Sequence, residues 1–318
     1  MSKWLSLLIT FALLGVVPEH AQASHRNCTA AEKRAADRQL WLSPNDKALS
    51  TERHLPWGAP AASTSASNEW LLIQRDFVIH YDGDLRIPLL TAERVDKKRL
   101  KSVHRTDCFR RDVRIDAPLN SKPSDFDEPI FDQGHLAAFA NQTSTKIAGN
   151  NSFVMSNMVP QTCQFNRGIW QILEGITRSW AKENETIYVI SGSIMDRDGD
   201  GLRDADDVAA RMHSKNKQSR VAIPTSFYKI VAVVSVDGSL ETLSILMPHN
   251  QANPSRDEAL GYLTNHITSI SDIERRTGLD FFPSGPVINE RVGLWPVTVM
   301  SNSLCRDTPR EDFEAIWR

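Results

Sequence analysis

The chain has 318 residues, enough for one large hydrophobic core or two smaller ones, and its composition is that of an ordinary globular protein. With 37 lysines and arginines against 39 aspartates and glutamates, the formal net charge is −2, which excludes a strong overall positive field. Any surface that attracts nucleic acid must therefore be local.

A targeting signal is predicted at the start of the chain. Lys3 precedes an apolar run, Trp4 to Val17, that is too short to span a bilayer comfortably, and Ala21-Gln22-Ala23 is a small-x-small cleavage site. A membrane anchor is the alternative, but the sequence has no other apolar stretch long enough to span. We therefore predict a signal peptide at 1–23, a secreted or periplasmic mature protein, and no membrane partner after cleavage.

Export would place the four cysteines in an oxidising compartment, where disulfides form. Four cysteines allow three connectivities, and the sequence does not choose among them. We expect Cys28 to pair with Cys305, joining the two ends of the chain, and Cys108 to pair with Cys163, beside the candidate site. The sequence has no Cys-x-x-Cys spacing, which argues against a structural zinc ion.

The predicted domain begins after a lead-in. Residues 24–68 show little pattern, and 59–68 are rich in Ala, Ser and Pro, which indicates a linker or loop. The segment 69–318 is then predicted to form the functional domain. Its strands and helices are mixed without a strict βαβ alternation, which predicts an α+β fold with a central, largely antiparallel sheet flanked by helices.

The clearest predicted helix runs from Asn166 to Lys182. Ile169, Leu173, Ile176 and Trp180 form an apolar stripe at helical spacing. Upstream, a strand is predicted at 70–81, closed by a turn at 82–84, and its partner begins at 87–90. Downstream, a strand is predicted at 186–195, followed by a hairpin of 221–236 and 240–247 with its turn at Asp237-Gly238. Next come a helix at 255–267, a helix that a capping box at Ser271 to Glu274 opens and Gly278 ends, and an apolar segment at 279–282 that docks on the core.

A basic strip extends from Arg94 to Arg114. It carries nine lysines and arginines against three aspartates. A solvated charged face is one interpretation, but the position just upstream of the motif described next favours contacts with phosphates. Arg105 lies near the centre of the strip, and Arg110 and Arg111 are candidate substrate-binding residues.

The candidate site is centred on Asp132-Gln133-Gly134-His135, which follows the apolar lead-in Pro129-Ile130-Phe131. Hydrolysis of a phosphodiester needs a base to activate water, a cation at the non-bridging oxygen and help for the leaving oxygen. His135 is the candidate base, because the unperturbed pKa of histidine is near neutral. A structural histidine is the alternative. Asp132 and Gln133 are predicted to orient the site or bind substrate.

Downstream amides and a carboxylate complete the predicted site. Asn166 is the candidate ligand of one Mg²⁺, which commonly takes only one or two protein oxygens, although a helix N-cap is the alternative. Glu174, two helical turns later, would hold metal-bound waters. Arg105 would pair with the phosphate as charge develops in the transition state. Asn157 and Gln161 are expected to hold loops and orient His135.

A second candidate metal site is the acidic run from 196 to 207. It resembles the calcium loop Asp-x-Asp-x-Asp-Gly, with Gly201 at position 6. We predict a structural Ca²⁺ that orders an insertion at about 196–220, in a lone loop without flanking helices; an acidic solvated turn is the alternative. The candidate ligands are Asp196, Asp198, Asp200, Asp204 and Asp207.

From about Trp70 to Phe282 the chain resembles the DNA/RNA non-specific endonucleases of the ββα-metal (His-Me finger) superfamily. The family signature is Asp-Arg-Gly-His, then Asn, then Pro-Gln, then Asn-x-Gly before a helix that carries Glu. The matching residues are Asp132, Gly134, His135, Asn157, Pro160, Gln161, Asn166, Gly168 and Glu174, with Arg105, Phe109 and Asp112 upstream and the segments Ile223 to Ile230 and Ile273 to Phe282 downstream.

The resemblance implies the ββα-metal nuclease fold, with His135 as general base and one Mg²⁺ bound by Asn166. It implies cleavage of DNA and RNA to 5′-phosphate ends with little sequence preference. Gln133 stands where the family usually has Arg, and Ala138 where it usually has Pro. Two alternatives follow: a nucleic-acid-binding module with impaired cleavage, and a phosphodiesterase acting on other substrates.

Overall fold

A computed structural model describes residues 26–62, 68–213 and 220–298, together with Cys305, Phe313 and Ile316. The predicted signal peptide lies outside the described residues. Within the described part of the chain, no helix is long and apolar enough to cross a membrane. The α-helices are α1 (Ala30–Arg38), α2 (Pro44–His54), α3 (Lys146–Asn151), α4 (Gln171–Glu183), α5 (Arg256–Thr264) and α6 (Ile270–Thr277).

Helices α1 and α2 lie in the stretch where we predict little pattern, and the prediction is wrong there. Each helix begins at a capping residue that is visible in the sequence. Thr29 and Glu32 form a reciprocal capping box at α1, and Ser43 caps α2 with Pro44 in the first turn. Both helices are short and mostly polar, so their hydrophobic periodicity is weak.

Among the residues that the structure describes, the strands form one large sheet and three small ladders. The strands are β1 (Arg26–Asn27), β2 (Ala61–Ala62), β3 (Glu69–Ile73), β4 (Val78–Asp82), β5 (Ile87–Asp96), β6 (Thr106–Asp107), β7 (Phe131–His135), β8 (Met158–Thr162), β9 (Thr186–Ile194), β10 (Ser226–Val234), β11 (Leu240–Pro248), β12 (Ile267–Thr268), β13 (Leu279–Asp280) and β14 (Ile288–Glu290). The large sheet has the order β12-β11-β10-β9-β5-β4-β3, and β14 is added beside β11. Every pair in it is antiparallel except β11 with β14. The predicted α+β fold with a largely antiparallel sheet is confirmed.

The sheet is covered on both faces, as the alternation of β10 shows. Phe227 and Val231 belong to the larger core cluster, on the face covered by α4 and the β7–β8 hairpin. Tyr228 and Ile230 belong to a second cluster with residues of α6 and the segment that follows it. Lys229 lies between apolar neighbours on the α4 face and is itself buried.

Strands β7 and β8 with helix α4 form the ββα unit that carries the candidate site. The two strands pair antiparallel, so that Asp132 faces Gln161 and His135 faces Met158. A π-helical turn, Phe165–Trp170, leads into α4 and contains non-helical backbone at Gly168. The predicted helix is confirmed, and its apolar stripe is fully buried against the sheet.

Several predicted elements are confirmed and two need correction. The strand at 186–195, the 221–247 hairpin and the helix ended by Gly278 all form, and Gly278 has the expected left-handed φ of 68°. The predicted strand at 70–81 is instead the hairpin β3–β4, with its turn between Ile73 and Val78. The residue that caps α6 is Ser269, two positions before the predicted cap.

The two disulfides are Cys28–Cys108 and Cys163–Cys305, so the expected pairing of Cys28 with Cys305 and of Cys108 with Cys163 is wrong. For Cys28–Cys108 the reason is a strand pairing between segments 80 positions apart, which the sequence does not reveal. Strand β1 pairs in parallel with β6, and Asn27 lies opposite Asp107. Cys28 and Cys108 directly follow these two strands, so they lie side by side with their Cα atoms 4.8 Å apart, within reach of a disulfide.

Candidate functional site

An open cleft of about 420 Å³ lies over the ββα unit. Four of the predicted site residues line it: Arg105, Asp132, Gln133 and Asn166. The remaining walls are mostly aromatic. They are formed by Phe109, Phe126 and Phe131, with Arg167 at the edge. The cleft therefore combines cationic and amide groups in a partly apolar wall, as sites that fix the orientation of a charged ligand do.

His135 lies behind this wall. Its ring packs edge-on against Phe153, with centroids 4.7 Å apart, and tilted against Phe109 at 6.1 Å. Its Nε2 atom is buried and has no hydrogen-bond partner among the described residues. Burial, and next the positive charge of Arg105, lower the pKa of His135 to about 3. The ring is therefore neutral at pH 7 and has a nitrogen free to accept a proton.

Arg105 connects the cleft to this histidine. Its guanidinium lies over the rings of Phe153, at 5.1 Å, and Phe139, at 5.7 Å. Its Nε donates to Asp107 at 2.9 Å, which holds the side chain over the rings. Arg105 also lines the cleft, and the planar fork of a guanidinium is suited to a phosphate.

Asn166 is oriented by Asp132. The Nδ2 of Asn166 donates to Asp132 Oδ2 at 2.8 Å, which leaves the amide oxygen Oδ1 for another partner. Arg167 holds the same carboxylate in a bidentate pair, with distances of 2.8 and 2.6 Å. At metal sites, a side chain that binds the ion through one atom commonly forms a hydrogen bond to a carboxylate through its other polar atom.

The backbone near the histidine is fixed by buried amides. Asn157 accepts from the Ala137 amide and donates to the carbonyls of Ala137 and Ser152, which holds the chain just after His135. Gln161 packs directly on Gly134, where an added Cβ would lie 2.1 Å from its Oε1. Only glycine fits at 134 without displacing this side chain.

Gln133 contributes no charge to the cleft. Its Nε2 makes one long contact of 3.4 Å to the carbonyl of Pro123, and its Oε1 is buried without a partner among the described residues. The arginine that the resemblance leads one to expect at this position is therefore not replaced by another cation at the same place. The cations that line the cleft are Arg105 and Arg167, and Arg167 is paired with Asp132.

A buried polar cluster beneath Glu174 was not predicted from the sequence. Lys229 is only 2% exposed, donates to Ser191 Oγ at 2.5 Å and lies 4.4 Å above the Trp170 ring. Burial lowers its pKa to about 8, and the carboxylates of Glu174 and Glu93 oppose that shift. Lysine in the middle of an apolar strand was the one available signal, because a buried ammonium is rare unless it is paired.

The two carboxylates around Lys229 have different surroundings. Glu93 is fully buried and accepts from Asn141 Nδ2 at 2.7 Å and from Gln142 Nε2 at 2.5 Å, and burial raises its pKa to about 7. Burial also raises the pKa of Glu174, against the nearby positive charges, Lys229 and Arg105 among them. Glu174 is thus coupled electrostatically both to the buried lysine and to the cleft arginine.

The basic strip is divided between structural and exposed positions. Arg110 is buried and holds Asp37, two backbone carbonyls and Asn151, so it has no free face for a substrate. Arg114 is paired with Asp112. Arg111 is exposed. Of the predicted cations, only Arg105 lines the cleft with the candidate site.

The acidic loop brings together three of its five predicted ligands. Oxygens of Asp196, Asp198 and Asp200 lie within 4.8 Å of one another. Asp204 instead accepts a hydrogen bond from the Arg197 amide at 2.5 Å, and Asp207 is exposed. Neither of them belongs to the cluster.

Comparison with known proteins identifies relatives of this chain. The family model described as DNA/RNA non-specific endonuclease matches residues 59–287. Human mitochondrial endonuclease G is 30% identical over 234 residues, which cover 72% of each chain. Nuclease C1 of Cunninghamella echinulata var. echinulata is 29% identical over 247 residues, 76% of this chain and 89% of the relative. Venom phosphodiesterase of Macrovipera lebetinus is 26% identical over 287 residues, 84% of this chain and 33% of the relative.

Proposed function

Because this chain belongs to the DNA/RNA non-specific endonuclease family, whose members are hydrolytic nucleases, we propose that it is an exported, Mg²⁺-dependent endonuclease. It would cut phosphodiester bonds of DNA and RNA to 5′-phosphate ends. The observation that carries this proposal is the cleft in which Asn166, oriented by Asp132, lies with Arg105 in front of an unpartnered His135.

The residues fit one magnesium ion. Mg²⁺ prefers oxygen ligands and retains several waters, so a single oriented amide oxygen at Asn166 with a carboxylate at Glu174 suits it. When bound, the ion would supply positive charge to a non-bridging phosphate oxygen. The neutral His135 would take a proton from the attacking water, and Arg105 would bind the phosphate as its charge grows. Asp132, Gln161 and Asn157 are proposed to position these groups.

Treatment with magnesium and then EDTA tests the proposal. Purified protein should degrade plasmid DNA and RNA with Mg²⁺, and EDTA should stop both reactions. Binding in a gel shift without cutting would instead support a binding module, which the missing charge at Gln133 suggests. Cleavage confined to small diesters would support the alternative phosphodiesterase.

Lys229 is proposed to keep Glu174 ionised and in place. Lys229→Met keeps the length of the side chain but removes its charge, so Glu174 should hold metal-bound waters less well. We expect the Mg²⁺ concentration at half-maximal rate to rise by about 10-fold or more, the size typical of lost outer ligand support. Lys182→Met, on the exposed end of α4, is the matched control. An unchanged Mg²⁺ requirement in a folded Lys229→Met protein would contradict this role.

A structural Ca²⁺ is proposed in the acidic loop. Asp196 is 8% exposed, and its Oδ1 is buried without a partner among the described residues, while Oδ2 accepts from Arg276 at 3.0 Å. Calcium at about 100 times its Kd should stabilise the fold by about 2.7 kcal/mol and raise Tm. Asp200→Ala should abolish the shift, whereas Asp207→Ala should keep it. If calcium does not change the Tm of the unaltered protein, the proposed site is refuted.

Export is supported by the two disulfides, which form and persist in oxidising compartments. The predicted signal peptide leads to the same location. Detection of a mature protein beginning near Ser24 outside the cytoplasm would support this part of the proposal. Retention of the full-length chain inside the cell would contradict it.

A further inference from the structure

A second and larger cleft, of about 890 Å³, lies between α2 and the chain that follows β5; we call it the α2 cleft. None of its lining residues belongs to the candidate site. Helix α2 contributes Ser50 and Arg53, the β3–β4 turn contributes Arg75, and Ser144 closes one side. Its cations are Arg53, Arg75, Arg94, Lys98, Arg99 and Lys101.

The cations of the α2 cleft are only partly neutralised. Three carboxylates line it, Asp46, Glu52 and Asp76, and Asp96 lies beneath. Asp96 is shared by Arg53 and Arg94, so one carboxylate serves two guanidinium groups. The six cations thus exceed the four carboxylates by two. Lys98 and Lys101 are exposed and make no ion pair with any residue that the structure describes.

Arg53 lies at the floor of the α2 cleft and is incompletely partnered. Its Nη2 bonds Asp96, but its Nε is buried without a hydrogen-bond partner among the described residues. Burial lowers the pKa of Arg53, and the positive charge of Arg99 acts in the same direction. A buried donor beside crowded cations is an environment that an anion would stabilise. Hydroxyls of Ser50 and Thr145 on the walls offer further donors to phosphate oxygens, whereas the hydroxyl of Ser144 already donates to Asp76.

Two chain segments connect the α2 cleft to the candidate active site. Residues 99–105 run from Arg99 in the α2 cleft to Arg105 in the active cleft. Residues 139–145 run from Phe139, beneath Arg105, to Thr145 in the α2 cleft. Six residues span at most about 22 Å even when fully extended. One strand of a DNA duplex rises about 3.4 Å per nucleotide, so the two clefts are separated by no more than some six nucleotides.

We propose that the α2 cleft is a second phosphate-binding site, which holds the substrate strand several nucleotides away from the phosphate being cut. This inference rests on the proposed nuclease function, because that function makes a nucleic-acid strand the polyanion that would lie across both clefts. The lysines at the rim would contact successive phosphates, and Arg53 would bind the phosphate that enters deepest.

Substrate length separates this site from the catalytic one. In Lys98→Ala/Lys101→Ala, kcat/KM for a single-stranded 20-mer at low salt should fall by about 10-fold. A dinucleotide has one phosphodiester and cannot occupy both clefts, so its kcat/KM should stay within twofold. The control, Arg38→Ala/Lys182→Ala, removes the same charge from exposed positions of α1 and α4 and should change neither.

Binding gives a readout that is independent of cleavage. On a His135→Ala background, the slope of log Kd for the 20-mer against log salt concentration should become shallower by about 1.4 when both lysines are removed, since each phosphate contact on a single strand contributes about 0.7. An unchanged slope, or an equal loss of activity on dinucleotide and 20-mer, would overturn the second site. Tighter binding of an acidic protein than of the 20-mer would also overturn it. Full activity of His135→Ala would instead refute the catalytic assignment, and the slope would then be measured in EDTA, where the 20-mer stays uncut.

Discussion

His135→Ala is expected to lower the cleavage rate on DNA and RNA by about 10²- to 10⁴-fold, the range for loss of a general base. The ring is held neutral by burial and by Arg105, and its Nε2 has no partner that would compete for a proton. Removing it deletes the only group of the site that we assign to proton transfer. The fold should persist, because Asn157 fixes the following backbone through main-chain contacts rather than through the imidazole.

Two controls make the His135→Ala result specific. His104→Ala removes an exposed imidazole next to Arg105 and should change the rate by less than twofold. Added imidazole should restore part of the activity of His135→Ala, because it can enter the space left between Phe109 and Phe153 and accept a proton. Wild-type rates in a folded His135→Ala protein would rule out this residue as the base.

Asn166→Ala is expected to cause a loss of similar size, at least 10²-fold, together with loss of tight Mg²⁺ binding. Asp132 accepts a hydrogen bond from Nδ2 of Asn166, and this contact orients the Oδ1 atom that we assign to the ion. Asn166→Asp should not restore activity, since a second carboxylate would lie against Asp132 and repel it. Calorimetric titration with Mg²⁺ in the absence of nucleic acid measures the effect without relying on turnover.

The control for Asn166 is Asn265→Ala, at the exposed end of α5. This variant removes a side-chain amide of the same kind from a position outside the site, so it should leave both the Mg²⁺ titration and the cleavage rate unchanged. If Asn166→Ala bound Mg²⁺ with wild-type affinity, the ion would have to be held by other residues and Asn166 would be only a helix residue.

Local patterns predicted the elements that local interactions determine. The turn at Asp237-Gly238 and the left-handed Gly278 were readable because turn chemistry depends on neighbouring residues. The helix carrying Glu174 was readable from its stripe. The hairpin at 69–82 was missed because its apolar residues continue on both sides of a short turn, which resembles one long strand.

Features that depend on distant contacts could not be predicted in the same way. The disulfides follow from the pairing of two-residue strands that are 80 positions apart at Cys28 and Cys108. The basic strip reads as uniform in sequence, yet Arg110 is buried with Asp37 whereas Arg105 faces the cleft. Arg53 joins this strip only through the packing of α2 against β5, which no spacing in the sequence reveals.

The most direct measurement is anomalous diffraction from crystals grown with Mn²⁺ and a short, slowly cleaved phosphorothioate oligonucleotide. We predict one Mn²⁺ bound to Oδ1 of Asn166, with a phosphate between the ion and His135 and with Arg105 on the same phosphate. Absence of a phosphate between the ion and His135, or an ion found only at Asp196, Asp198 and Asp200, would contradict the proposed catalytic centre.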